Sequence, residues 1–311
     1  MMVVFQILFN EASGQAVGVE YYHGGSDSGG VRKLHRVLTN REIILSAGTV
    51  GSPQLLLLSG LGPKAHLQSL GIPVVRDLPA VGQNLANHLL LDLGIGLNQS
   101  FDSVADSLRE TTSLLGILRS LWDFVWRSGG TLVNVPFRIT GFARSQHSQD
   151  SSLDLQFLVN TQGQYYPRLF SSFNLTDEAF EATWAQGANY PSTGLVYVGH
   201  LQPKSRGYVQ LRSKDPFDPP LIDPQYLKEQ HDVDALREGL ETILRLVSTK
   251  ALRQFGAAVA DKPLSVCAQH DFLSSAYLDC LIRHKSLTFF HPTGTCTMSN
   301  RTGLGVVDSE L

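Results

Sequence analysis

Two stretches with apolar residues at helical spacing, 105–127 and 231–254, constrain this chain most. Both predict long helices, the second through Val233, Leu236, Leu240, Ile243, Leu244 and Val247. Between them, residues 153–160 (LDLQFLVN), 194–201 (GLVYVGHL) and 207–213 (GYVQLRS) read as strands with partial alternation, and the Pro/Asp-rich 215–224 reads as loop. Ahead of them, the β-branched and aromatic runs 3–9 and 16–22, joined by NEASGQ, predict successive strands. Residues 31–46 continue that pattern after a Gly/Ser stretch at 24–30, giving three or four strands in all. Mixed strands and long helices in segregated order predict an α+β region attached to something else. No internal repeat at solenoid periods interrupts this order.

Composition removes several function classes. In 311 residues, 25 Lys+Arg face 28 Asp+Glu, a formal charge of −3, so no basic field awaits nucleic acid. Hydrophobic residues make up 42% of the chain, enough for a full core in one or two domains. The most apolar run, Leu55 to Leu58, falls far short of a bilayer crossing, so no membrane span is expected. The opening MMVVFQILFNEASGQ lacks a basic n-region and a small-residue cleavage site, and reads as a strand rather than a signal peptide. Three cysteines without CxxC spacing make structural zinc improbable, and no metal ligand set is expected. His23, His200 and His284 read as surface or core residues without ligand spacing. Sequons at Asn98, Asn174 and Asn300 permit a secreted origin, although chance accounts for most of them.

Gly60-Leu61-Gly62-Pro63-Lys64-Ala65 has the spacing of a loose dinucleotide fingerprint. Pro63 removes an amide that a pyrophosphate would want, and the preceding run is better read as a helix end followed by a turn. Neither a Walker A motif, HExxH nor GxSxG occurs. Two segments instead pack Gly, Pro, Ser and Thr around an element boundary: GTVGSPQLLLLSGLGP (48–63) and FFHPTGTCTM (289–298). In the first, Ser52 suits an N-cap, Pro53 the first helical position, and Gly60 the stop of a short helix QLLLLS. In the second, His291 lies next to two Phe, where most histidines are packed core residues, and Gly294 is small enough for close approach by a flat ligand.

Both segments resemble the glucose–methanol–choline (GMC) family of flavoprotein oxidoreductases, in the right order. Gly48 through Gly62 satisfies every fixed position of the family's second signature, Gly-small-x-x-Ser/Thr-Pro-x-aliphatic-aliphatic-x-x-Ser-Gly-aliphatic-Gly. Residues 70–89 resemble the stretch ending Gly-x-Asn-Leu-x-Asp-His, with Asn87 where the family usually has Asp. Residues 201–227 and FFHPTGTCTM resemble the C-terminal region, most closely of the invertebrate glucose-dehydrogenase-like and choline-dehydrogenase-like branch. The likeness is weakest between 92 and 190. It implies an α+β and α/β chain: part of an FAD-binding domain over 1–91 without its Rossmann βαβ, a substrate domain over 92–202 with a mainly antiparallel sheet and long helices, and a C-terminal region over 203–311. A family member incomplete at both ends, inactive in isolation, is expected.

The resemblance implies FAD as cofactor and a small alcohol or sugar as substrate, with hydride passing to flavin N5 and His291 taking the hydroxyl proton. That role wants a neutral imidazole, and burial beside Phe289 and Phe290 would favour one. By the same resemblance Val4 touches adenine, Ala47 and Gly48 pass close to the ribose and pyrophosphate, and Asn84 and Leu85 lie near the cofactor. For Val4 a plain core valine is the simpler alternative. Cys267 and Cys280 could pair if the parent is extracellular, with Cys296 free, but three buried thiols are the simpler expectation. The rival class is a non-catalytic remnant or binding protein that keeps the substrate-domain fold without flavin. A Ser/His hydrolase lacks its elbow. Compartment, oligomeric state and electron acceptor are not legible.

Overall fold

A computed structural model describes residues 2–24, 32–99, 114–127, 137–148, 150–160, 176–183, 189–301 and 304–310. In chain order the elements are strands β1 (Met2–Phe9), β2 (Ala16–His23) and β3 (Lys33–Leu38), helix α1 (Gly48–Leu58), β4 (Leu61–Gly62), α2 (Lys64–Ser69), β5 (Arg76–Asp77), β6 (Gln83–Leu85) and β7 (Leu89–Leu97). Then come α3 (Leu114–Arg127), β8 (Phe137–Ala143), β9 (Leu155–Asn160), α4 (Asp177–Thr183), β10 (Ser192–His200), β11 (Gly207–Gln210) and β12 (Leu221–Asp223). Helices α5 (Gln230–Val247) and α6 (Lys250–Arg253), β13 (Ala258–Val259), α7 (Ser275–Lys285) and β14 (Leu287–Thr288) complete the set. Two compact units emerge: one from residues 1–87, 205–226 and 291–311, the other from 88–204 and 227–290. Neither is a single run of sequence, unlike the expected segments 1–91, 92–202 and 203–311.

In the first unit β1, β2 and β3 form an antiparallel sheet. Asn10 turns the chain between the first two, its Oδ1 accepting the amides of Ala12 and Ser13, and Gly14 takes the left-handed conformation at φ 69°. Phe5 stacks on Tyr22 across the pair, ring centroids 4.9 Å apart. The strand pattern expected as far as residue 46 stops at Leu38, because the Thr39 hydroxyl accepts the Arg41 amide and donates to the Glu42 carbonyl, a local turn that replaces the ladder. Leu57, Leu67, Ile72, Val81 and Leu211 make this unit's core. The short strands β6, β11 and β12 form a second antiparallel sheet.

The second unit is built on an antiparallel sheet ordered β13-β7-β10-β9-β8, with β14 also on β7. Helix α5 covers it through Val233, Leu236, Leu240, Ile243 and Val247, the spacing that predicted the helix. Gly239 permits the approach, since a Cβ there would stand 2.5 Å from Val198 Cγ2. The helix ends at Val247, and α6 covers part of the remaining predicted stretch. Helix α3 fills the end of the predicted 105–127 stretch, while residues 105–113 and the sequon at Asn174 lie outside the described residues. Ser274 caps α7 by accepting the Tyr277 amide. Cys267 and Cys280 are joined by a disulfide, which overturns the expectation of three buried thiols, and Cys296 is free. Among the described residues no helix is long and apolar enough to cross a membrane.

Candidate active site

The first helix of the signature begins earlier than its sequence predicts. Ser52 and Pro53 are not the cap and first residue; α1 starts at Gly48, and Ser52 Oγ accepts the Ala47 amide at 3.0 Å. Pro53 therefore lies inside the helix. Having no amide hydrogen, it leaves the Thr49 carbonyl, one turn back, without the donor an α-helix normally supplies. The Thr295 hydroxyl provides that donor at 2.6 Å, and Thr49 Oγ1 donates to the Pro292 carbonyl at 2.7 Å. A proline in one motif thus creates the docking point for the other.

Residues 82–87 fasten the same segment from another side. Ala86 and Thr293 exchange both backbone hydrogen bonds, at 2.9 and 2.8 Å, and the Gly82 amide donates to the Thr295 carbonyl. Asn84, held at φ 63°, donates from Nδ2 to the Gly294 carbonyl at 3.3 Å and to Thr297 Oγ1 at 3.2 Å. Gly294 has φ 98°, and a Cβ there would stand 2.3 Å from the Asn84 carbonyl oxygen, so no other residue fits. Asn87 Oδ1 accepts the His291 amide at 2.9 Å, while its Nδ2 donates to the Tyr226 hydroxyl. Asn87, where the family usually has Asp, thus serves here as acceptor and donor at once.

The structure thus brings together Gly48, Asn84 and the segment after His291, but not every expected residue. His291 is exposed rather than buried beside its aromatic neighbours. The reason is local: Phe290 adopts φ 58° and is itself 61% exposed, so flanking hydrophobicity does not become burial. Val4, on β1 opposite Tyr21, is 39% exposed and no core valine. Its strand meets α1 at the far end from Gly48, where Ser59 Oγ accepts the Ile7 amide. Leu85 is buried and lies opposite Gly207 in the pairing of β6 with β11. Ala47 and Gly48 are exposed. Burial pushes the half-buried Cys296 thiol up, so it is no thiolate nucleophile at neutral pH.

Thr49, Tyr226, Thr295 and Thr297 escaped the sequence analysis. No local signal announced them: Pro53 reads as a helix start, and only its place inside α1 leaves the Thr49 carbonyl in need of a donor from elsewhere. A second unpredicted grouping lies in the other unit, where one ligand atom each from His200, His231 and Asp232 falls within 4.8 Å of the others. Burial, opposed by Asp232 and Asp154, pushes His200 down to about 4.

Comparison with known proteins agrees with the motif order. Two family models described as GMC oxidoreductase match residues 1–90 and 203–311. Glucose dehydrogenase (FAD, quinone) of Drosophila pseudoobscura pseudoobscura is 32% identical over 313 residues, covering 99% of this chain and 45% of the relative. Mitochondrial choline dehydrogenase of Homo sapiens is 29% identical over 299 residues, covering 95% of this chain and 43% of the relative. The chain therefore spans about half the length of the curated relatives it matches. Among solved structures, a formate oxidase of Aspergillus oryzae superposes with a TM-score of 0.75 at 23% identity, covering 99% of this chain and 52% of that one. Pyridoxine 4-oxidase of Mesorbium loti does so at 0.68 and 21%, covering 100% and 49%. Signature, paired family matches and shared fold agree, and the chain belongs to the GMC oxidoreductase family.

Proposed function

We propose that this chain is part of an FAD-dependent oxidoreductase that oxidises the CH–OH group of a small alcohol or sugar, with His291 as the base. The observation that carries this reading is the fastening of the His291 segment to Thr49 and to Asn84 through Asn87, which unites the two motifs into one site.

The residues present fit a flavin nucleotide. Gly48 is exposed at φ 76° with nothing within 4 Å of a Cβ position, so a bulky flat group can approach its backbone. Ala47 adds only a methyl group. The N-terminus of α1 has no side-chain cap, and its positive end suits an anionic or electron-rich partner. Asn84 extends that surface with Leu85 next to it, and Val4 is the adenine contact in this proposal. When bound, FAD would supply the acceptor for the hydride, and with it both electrons, that leaves the substrate carbon.

The chain's own task is the proton. As base, the His291 imidazole would take the hydroxyl proton on a ring nitrogen as the C–O bond gains double-bond character. Asn87 holds the peptide that carries the ring, and Gly294 keeps the following turn tight. The substrate class follows the relatives named for glucose and choline. The Cys267 to Cys280 disulfide supports maturation in an oxidising compartment.

The test is flavin uptake by the purified chain, followed by the visible flavin bands, together with oxidation of glucose and choline by the full-length enzyme of which this chain is part, with an artificial electron acceptor. The reading expects a yellow chain and, in the full-length enzyme, loss of oxidation with flavin retained in His291→Ala. A protein that stays colourless with added FAD would favour the non-catalytic binding protein.

A further inference from the structure

We infer that His200, His231 and Asp232 form a binding site for one divalent metal ion of the zinc class, joining the end of β10 to the first turn of α5.

The argument begins with hydrogen-bond roles at His231. Its Nε2 lies 2.9 Å from the His147 carbonyl oxygen, which can only accept, so Nε2 carries the hydrogen. In the neutral ring Nδ1 then holds a lone pair, and it faces another acceptor, Asp232 Oδ1, at 3.3 Å. Two lone pairs do not face each other without a positive centre between them. A proton would draw an imidazolium and a carboxylate to about 2.7–2.9 Å. Two ligand atoms on a tetrahedral zinc, each about 2.0 Å from it, stand about 3.3 Å apart.

His200 supplies the independent observation. It is 1% exposed, and among the described residues neither ring nitrogen has a hydrogen-bond partner. Buried polar groups are rarely left so. Its Nδ1 is 3.8 Å from the same Asp232 oxygen, and the three candidate ligand atoms lie within 4.8 Å of one another, so any pair wider than about 4 Å must close on binding for one ion at about 2.0 Å to take all three.

The surroundings suit a metal. The His147 carbonyl fixes the His231 tautomer from outside, the arrangement that orients metal-binding imidazoles. The Lys204 amide holds Asp232 Oδ1 at 2.7 Å, so the carboxylate is placed before any ion arrives. Two imidazoles and a carboxylate match zinc and its neighbours rather than magnesium or calcium. The side chains of His231 and His147 are 18% and 37% exposed, which gives the ion an entry path and leaves the fourth position to water. This inference is independent of the flavin chemistry.

The probes are Co(II) and Zn(II) added to the metal-free full chain. One equivalent of Co(II) is expected to bind with visible ligand-field bands, to be displaced by Zn(II), and Zn(II) is expected to raise the melting temperature. His231→Asn, at a partly exposed position, should weaken uptake at least about ten-fold. Because a variant can lose binding by unfolding, X-ray absorption on zinc-loaded wild type is the second measurement, and it should show two imidazole nitrogens. Absence of stoichiometric uptake, uptake unchanged in His231→Asn, or a zinc shell without two imidazoles would each overturn the site.

Discussion

Thr295 gives its hydroxyl hydrogen to the carbonyl of Thr49 at 2.6 Å, and that carbonyl is free because Pro53 has no amide hydrogen. A helix-breaking residue is thereby made compatible with α1, and the segment that follows His291 is pinned to the helix start.

Thr295 is buried, so Thr295→Val should cost about 1–3 kcal/mol by leaving the carbonyl unsatisfied. Pro53→Ala restores an amide one turn on from Thr49. In that background the cost of Thr295→Val should fall by at least half. A double-mutant cycle in urea measures the coupling, and simple additivity would show that the two residues do not serve one carbonyl.

Gly48 and Gly294 both have positive φ, at 76° and 98°, yet they should respond differently to alanine. At Gly294 the new Cβ meets the Asn84 carbonyl oxygen at 2.3 Å, so strain adds to collision and a loss of about 3 kcal/mol or more is expected. At Gly48 the space is open, and only the conformational cost of about 1–2 kcal/mol applies. Flavin titration should separate them further, with Gly48→Ala weakening uptake out of proportion to its effect on melting. Equal effects on both readouts would remove Gly48 from the cofactor surface.

Local pattern carried the longer elements but not β12, whose strand lies inside the stretch read as loop and forms only by pairing with β11. Helix α5 follows from its apolar spacing, and Gly60, at φ 83° just past α1, marks that helix's stop as its residue type suggested. What escaped depends on partners distant in sequence. Pro53 reads as a helix start because nothing nearby reveals Thr295. Phe289 and Phe290 promise burial for His291, but the backbone at Phe290 sends its ring outward. The disulfide depends on how α7 sits against Cys267, which spacing alone does not state. His200 comes from a strand end and His231 and Asp232 from a helix start, so no ligand spacing announces them.

The Cys267 to Cys280 bridge closes a short loop with a sequence separation of 13. Chain-entropy arguments assign such a loop about 3 kcal/mol. Dithiothreitol should therefore lower the denaturation midpoint of the wild type and leave a Cys267→Ala/Cys280→Ala variant unchanged. Equal midpoints for oxidised and reduced wild type would deny the bridge a stabilising role.

A buried charge cluster in the second unit contributes one part of the pH dependence, opposed over the same range by His200, whose lowered pKa adds stability as pH rises. Lys285 Nζ lies 3.3 Å from Asp92 Oδ2 and 3.2 Å from Asp261 Oδ2, and all three side chains are buried. Burial pushes Asp261 up to about 6; Lys285 opposes this and Asp92 adds to it. For Lys285 burial acts downward, but Asp261 and Asp92 together raise it. An acid raised on folding binds more protons in the native state, so its contribution to stability falls as pH rises from about 4 to about 6. Over that window the loss from Asp261 is of order 3 kcal/mol. Asp261→Asn keeps an acceptor for the Gly94 amide, now 2.8 Å from Oδ1, and should remove this falling contribution, read as the difference between the wild-type and variant profiles. Lys285→Met should cost about 3–5 kcal/mol at pH 7, where two carboxylates would face each other without a cation. The cost should shrink at pH 4, where Asp261 can hold its proton. Urea denaturation of wild type and both variants between pH 4 and 7 measures all three slopes, and parallel profiles would show that Asp261 titrates as it does in the unfolded chain.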